Sequence, residues 1–267
     1  MLHPFFSSPP PLVFAHRGGS ALAPENTFAA FDNGLALGAN GLELDLHLSR
    51  DGIVVVHHDG TLERTTNLQG PVAGRTAAEL ARADAGFSFR DGEAFPFRGR
   101  GIGVPLLTDV LLEYPDVRII LELKGDRVAL ARATVEAVRA AGAIDRVCVG
   151  AFGSRVLRAA RTCDPALATS ASASEVRWAL YRSWCRLPVS RGRYAGYQVP
   201  EWAGRTHVVT PRFIEAAHRA GLGVQVWTVN DPAEARMLLG WGADALITDR
   251  PDLIVPLVKS WTTERTT

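Results

Sequence analysis

The side chains able to do chemistry fall in short clusters along the chain. His16 and Arg17 follow an apolar run, Glu43 and Asp45 stand two apart, His57 and His58 follow a run of valines, and Glu122 and Lys124 again stand two apart. On strands, residues two apart point to the same face. Glu43 and Asp45 then share a face, with Glu122 on the next strand about 4.8 Å away. Three carboxylates facing one interior repel unless positive charge lies between them. A hard divalent cation, Mg2+ or Ca2+, takes such oxygen ligands at about 2.0 to 2.6 Å. Zinc fits less well, because no His or Cys stands at short ligand spacing. The plainer alternative is that each acid pairs with an arginine on a rim. With one divalent ion and the charges of Arg17 and Lys124, the three acids leave a centre of +1, suited to a singly charged anion. A guanidinium offers phosphate oxygens a planar, bidentate fork.

His16 and His58 are the candidate acid and base. An imidazole with a pKa near 6.5 exchanges protons at neutral pH and typically contributes about 10² to 10⁴ in rate. His57 should point to the opposite face and stay outside the reaction. Asp59 either orients His58 or caps the following turn. Pro24-Glu25-Asn26-Thr27 reads equally as a helix start and as site chemistry. Gln198, near the end of a later strand, is a further candidate for a substrate hydrogen bond.

The elements that must position these groups alternate. Strands are expected at Leu12–Ala15, Gly41–Leu48, Arg118–Leu123, Val147–Gly150, Ala166–Thr169, Ala195–Val199, Val224–Val229 and Ala245–Thr248. Helices are expected at Thr27–Leu37, Val128–Ala141, Arg212–Ala220 and Pro232–Leu239. In the first, Phe28, Phe31 and Leu35 share a face, Asn26 is the expected N-cap and Gly38 supplies the stop. Eight strands alternating with helices is the (β/α)8 pattern, an α/β TIM barrel, whose chemistry sits at the C-terminal strand ends. A doubly wound open sheet would show a glycine fingerprint after the first strand, and Gly18-Gly19 is not one. Residues 49–103 hold a short strand, Ile53–Val56, but no crossover helix of ordinary length. They read as a small insertion subdomain after strand 2 within one domain spanning 1–267. Phe87, Phe89, Phe95 and Phe97 lie in it beside Arg90, Arg98 and Arg100. The tract from Ser170 to Arg193 fits no pattern.

Composition sets the outer limits. A chain of 267 residues fits one barrel of about 250. It is 47% apolar and 21% charged, with a net charge of +1, which argues against a nucleic-acid partner. No apolar run is long enough for a transmembrane helix. Cys148, Cys163 and Cys185 form no C-x-x-C pair, so reduced thiols in a cytoplasmic protein are expected. The opening residues lack the basic start and apolar stretch of a signal peptide. Only two lysines occur, Lys124 and Lys259, which singles out Lys124.

Together these motifs resemble the glycerophosphodiester phosphodiesterase family over nearly the whole chain. His16-Arg17-Gly18 with Pro24-Glu25-Asn26-Thr27 is similar to the family's H-R-G…P-E-N-T, and Glu43-Leu44-Asp45 to its E-x-D. His58-Asp59 with Leu62-Glu63-Arg64-Thr65-Thr66 is similar to H-D-x-x-L-x-R-T-T, and Glu122-Leu123-Lys124 to E-x-K. Trp227-Thr228-Val229-Asn230 matches W-T-V-N, and Thr248-Asp249-Arg250-Pro251 matches T-D-x-P. The resemblance implies hydrolysis of glycerophosphodiesters to glycerol 3-phosphate and an alcohol. It implies Glu43, Asp45 and Glu122 as ligands of one divalent cation, His16 and His58 as acid and base, Arg17 and Lys124 as phosphate contacts, and Trp227 as a wall for the glycerol carbons. It leaves open which alcohol departs, which of Mg2+ and Ca2+ is used, and the oligomeric state. His57 stands where the family often has an apolar residue. Two other readings compete. A glycosidase with a carboxylate pair would survive chelation. An inactive barrel binding phospholipid headgroups, its phenylalanines in transient contact with a membrane, would lack a histidine or a ligand.

Overall fold

The computed structural model describes residues 3–6, 9, 11–189 and 192–264. The chain runs β1 (Leu12–His16), α1 (Phe28–Ala36), β2 (Gly41–Leu48), β3 (Val54–Val56), α2 (Ala77–Ala81), α3 (Leu107–Glu113), β4 (Arg118–Leu123), α4 (Val128–Ala140) and β5 (Val147–Gly150). It continues through α5 (Ser154–Cys163), β6 (Ala168–Thr169), α6 (Ala173–Trp184), β7 (Gly196–Pro200), β8 (Trp202–Ala203) and β9 (Thr206–His207). It ends with α7 (Pro211–Arg219), β10 (Gly223–Trp227), α8 (Pro232–Trp241), β11 (Ala245–Thr248) and α9 (Pro251–Glu264).

Eight of these strands pair in parallel in the order β6-β5-β4-β2-β1-β11-β10-β7. The last gap, between β6 and β7, is bridged at Ser170 and Gly196, and the Ala171 and Ala195 amides donate across it. The fold is a (β/α)8 barrel. Outward side chains such as Leu42, Leu44, Leu46, Ile119 and Leu121 are fully buried under the helices. Inward ones, Phe14, Ile120, Cys148, Ala168 and Ile247, form a separate core inside the barrel. Its lower end is closed by Phe5, from a short 3-10 turn at Pro4–Phe6, whose ring stacks on Phe14 at 5.9 Å between centroids.

The eight expected strands all form, with ends displaced by no more than about two residues. Ser170–Arg193, which showed no pattern, carries α6; its Ser190 and Arg191 lie outside the described residues. The helix starts at a reciprocal cap between Ser172 and Glu175. Trp178, Tyr181 and Trp184 occupy its exposed side, so aromatic residues outside the core blur its apolar stripe. The S-x-x-E signal was present in the sequence.

Residues following β2 depart from the barrel rhythm. β3 pairs antiparallel with β2, and α2 with its flanking loops packs Val55, Leu62, Val72, Leu80 and Val104 into a small core of their own. The crossover helix α3 comes only afterwards. The four phenylalanines lie at the edge of this segment. Phe89 packs edge-on to Phe97, and the Arg98 guanidinium lies over both Phe87 and Phe95.

Gly41 opens β2, the strand that carries Glu43 and Asp45. A Cβ there would press on the Arg118 carbonyl oxygen and come within 2.6 Å of the Phe14 ring. Neither neighbour can retreat, because one is ladder backbone and the other is core. Gly41→Ala is expected to cost about 1 to 3 kcal/mol, read as a lower midpoint in thermal unfolding. An unchanged midpoint would mean that β1, β2 and β4 are less tightly packed than described.

Candidate active site

Along the barrel interior, strands run from apolar to polar. β1 offers Leu12 and Phe14 before His16, β4 offers Ile120 before Glu122, and β11 offers Ala245 and Ile247 before Asp249 just past its end. Two-residue alternation thus brings the polar side chains to the C-terminal mouth. A cavity of about 560 Å³ opens there. His16, Arg17, Glu43, His58, Glu122 and Lys124 line one side of it, and Trp227 another part of the wall. Asp45, only 1% exposed, lies beneath them. The eight residues to which the resemblance gives a role are therefore gathered at one place, and Gln198 lines the same cavity.

Strand register sets the acid cluster. His16 is level with Glu43, and Asp45 with Glu122. One oxygen from each of Glu43, Asp45 and Glu122 lies within 4.8 Å of the others. Lys124 Nζ stands 2.8 Å from Asp45 Oδ1 and 3.1 Å from Glu122 Oε2, and Arg17 Nε stands 3.2 Å from Asp45 Oδ2. Burial opposes the Asp45 charge, but Lys124 and Arg17 overcome it and hold the carboxyl below its usual range. For Glu43 the compensation from His16 and Lys124 is weaker than what opposes it. Burial, then the charge of Asp45, pushes it up to about 8.

These acids fit a divalent cation. The donor set is all oxygen, as a hard ion requires. Glu122 Oε1 is buried with no hydrogen-bond partner, and Asp45 Oδ1 has the Lys124 ammonium beside it but no hydrogen bond of good geometry. Orphaned buried oxygens carry a desolvation cost that an ion would offset.

Each histidine is held by a carboxylate through the same ring nitrogen. His16 Nδ1 lies 2.6 Å from Asp249 Oδ1, and His58 Nδ1 lies 2.6 Å from Asp59 Oδ1. Proton donation from Nδ1 turns Nε2 of each ring away from its carboxylate, and His16 Nε2 lies 3.7 Å from Glu43 Oε2. Burial works against a charge on His16, but its hydrogen bond with Asp249 and the charge of Glu43 outweigh it and raise its pKa. Asp249, which also accepts from Ser20 and from Asn230 Nδ2, is held down to about 2 despite burial. His57 is buried and donates from Nε2 to the Thr61 carbonyl, away from the cavity lining.

The loops on either side are tied together. Glu25 accepts from Arg17 at 3.0 Å and takes a two-pronged contact from Arg64, with both distances 2.7 Å. Arg64 Nε also donates to Asp59 at 2.5 Å. One guanidinium thereby links the carboxylate behind His58 to the carboxylate holding Arg17. Asn26, in a left-handed conformation that asparagine tolerates, donates to Asp45 Oδ2 at 2.8 Å. Glu25 and Asn26 thus serve the site, while the helix start is capped by Thr27, not Asn26, through its hydroxyl accepting from the Ala30 amide, and Asp59 orients His58. The roles of Asp249 and Arg64 were not legible beforehand, since their partners lie 233 and 39 positions away. With Glu25, Asp59 and Asp249 added against Arg64 alone, the wider site is more acidic than the +1 counted from the sequence.

A barrel with its ionisable groups collected at the C-terminal mouth belongs to the class of barrel enzymes. The model of the glycerophosphoryl diester phosphodiesterase family matches residues 16–253, and the chain belongs to that family. A glycerophosphodiester phosphodiesterase of Caldanaerobacter subterraneus is 32% identical over 254 residues, covering 93% of this chain and 98% of that relative. Among solved structures, the Agrobacterium tumefaciens glycerophosphodiester phosphodiesterase superposes with a TM-score of 0.74 at 29% identity, covering 92% of this chain and 99% of that one. An Oleispira antarctica phosphodiesterase in complex with the product sn-glycerol-3-phosphate superposes with a TM-score of 0.76 at 28% identity, covering 93% and 97%. The chain is an enzyme of the phosphoric diester hydrolase class. Among the described residues no helix is long and apolar enough to cross a membrane.

Glu43→Ala is expected to weaken Mg2+ or Ca2+ binding by more than the roughly 10- to 100-fold cost of losing a supporting residue. Calorimetric titration of the folded variant reads this directly. Wild-type affinity in the variant would separate Glu43 from any metal.

Proposed function

We propose that the enzyme hydrolyses a glycerophosphodiester to glycerol 3-phosphate and a free alcohol, with one divalent cation, Mg2+ or Ca2+, held by Glu43, Asp45 and Glu122. The observation that carries this reading is the pair of cavity-lining imidazoles, each bound through Nδ1 to a carboxylate, beside three carboxylates within 4.8 Å of one another. The product complex of the Oleispira relative supports the substrate class.

Phosphoryl transfer needs alignment and charge neutralisation more than a protein nucleophile. A cation at the acids would polarise a phosphate oxygen and lower the pKa of a neighbouring hydroxyl. Arg17 and Lys124 face the remaining phosphate oxygens as a bidentate fork and a point charge. Trp227 provides an apolar wall against the glycerol carbons. In the first step one histidine takes the proton of the glycerol 2-hydroxyl as its oxygen bonds to phosphorus. The other histidine protonates the departing alcohol as its bond to phosphorus breaks. The two then exchange roles, and a deprotonated water opens the cyclic phosphate to give glycerol 3-phosphate. Asp249 and Asp59 hold the two rings in the tautomer this exchange needs. In this reading residues 49–103 are a rim that delivers His58, within one domain.

Chelation should abolish release of glycerol 3-phosphate from a panel of glycerophosphodiesters, and added Mg2+ or Ca2+ should restore it. Activity that persists in EDTA would overturn the metal role. His58→Ala should lower turnover by about 10² to 10⁴, while a comparable loss in His57→Ala would mean that the wrong neighbour has been assigned. Asp249→Asn should keep the fold and lower kcat by about 10- to 100-fold, because an amide no longer selects the Nδ1–H tautomer of His16. An unchanged kcat would show that His16 needs no such support.

A further inference from the structure

The acidic side chains of the cavity, its histidines, Arg17 and Lys124 all lie in the half formed by β1, β2, β4 and the loop after β3. The other half, from β5 round to β10, has a different lining. Phe152 follows β5, Val176 and Leu180 come from α6, Val199 comes from β7, and Trp227 ends β10. Among the described residues no carboxylate lines this half, and the one charged side chain lining it is Arg177. Phe152 meets Trp227 edge-on at 6.1 Å between centroids while remaining 61% exposed. Apolar surface therefore continues from the wall beside the ionic centre out to solvent. The reciprocal cap at Ser172 and Glu175 fixes the start of α6, and Ala179, Leu180 and Ser183 anchor it against the barrel.

Charge decides what this arm can hold. A quaternary ammonium or an amine lodged there would meet Arg177 and no compensating acid. An uncharged hydrocarbon needs no partner and gains from leaving water. The mechanism decides where such a chain can be attached. The 2-hydroxyl must stay free to attack phosphorus, so the chain sits on the 1-oxygen of the glycerol, on the Trp227 side.

We propose that this largely apolar arm binds the hydrocarbon chain of a 1-acyl or 1-alkyl glycerophosphodiester, running past Trp227 and Phe152 toward Val176 and Leu180. This inference rests on the phosphodiesterase reading above. The bond changes are those of the unsubstituted substrate. The 2-oxygen bonds to phosphorus as the alcohol departs with a proton, and water then opens the ring to leave a 1-substituted glycerol 3-phosphate.

The test compares choline release from glycerophosphocholine with release from its 1-acyl derivatives carrying progressively longer chains, all below their micelle-forming concentrations. Diesters with the same chains on the departing alcohol form a parallel series. Burial of each methylene should raise kcat/KM by up to about fourfold in the first series until the arm is full. Leu180→Glu should flatten that rise, read as a ratio of substrates within the folded variant. A flat profile for the wild type, with glycerophosphocholine still turned over, overturns the arm and leaves the phosphodiesterase reading intact. A gain confined to the second series overturns the assigned orientation. Failure to cleave any diester removes the phosphodiesterase reading and this inference with it. A slope that survives in Leu180→Glu also counts against the arm.

Discussion

Crowding of like charge in a buried place is the constraint on which the barrel mouth depends. Asp45 is the centre of it. It lies almost wholly out of water, flanked by Glu43 and Glu122, and it remains ionised through Lys124, Arg17 and Asn26. Each compensating group is itself held elsewhere, Arg17 by Glu25 and Lys124 by Glu122. Glu43 shows what happens where compensation is incomplete, since its proton is retained close to neutral pH. Buried ion pairs are seldom the cheapest way to stabilise a fold. Their presence here fits a centre whose charge balance is completed by a ligand.

The strand pattern makes this constraint affordable. Because side chains alternate, each of several strands can devote its lower interior positions to apolar packing and its final one to chemistry. The same alternation made the site readable. Glu43 and Asp45 share a face because they are two apart, and Glu122 joins them because β4 is the neighbour of β2. The eight strands were legible for the same local reason. What escaped was non-local or masked. Asp249 reaches His16 only because β11 closes on β1, and no spacing in the sequence encodes that closure. Arg64 finds Glu25 across two loops. In α6 the exposed aromatics hid the apolar stripe while the cap at Ser172 stayed in view.

The site is assembled from two structural origins. His16, the acids and Lys124 belong to the barrel, whereas His58, Asp59 and Arg64 belong to the segment with its own small core beside β3. Besides the β2–β3 ladder, contact between them passes through the Glu25 carboxylate and the Arg64 guanidinium, and that carboxylate stays ionised despite its burial because two guanidiniums face it. A two-pronged pair of this kind fixes angle as well as distance. The spacing between the two imidazoles is thus set by the β2–β3 ladder together with side chains that touch neither ring, and this is why a short inserted segment can supply half of an acid–base pair.

Phe5 gives the molecule a polarity of a practical kind. Its ring seals the barrel floor, and the neighbouring His3 imidazole contacts the Ala166 carbonyl just ahead of β6, at the end remote from the cavity. A linker attached at His3 itself would start from that underside. Anchored to a solid support by such a linker, the protein would present its open mouth to the surrounding liquid.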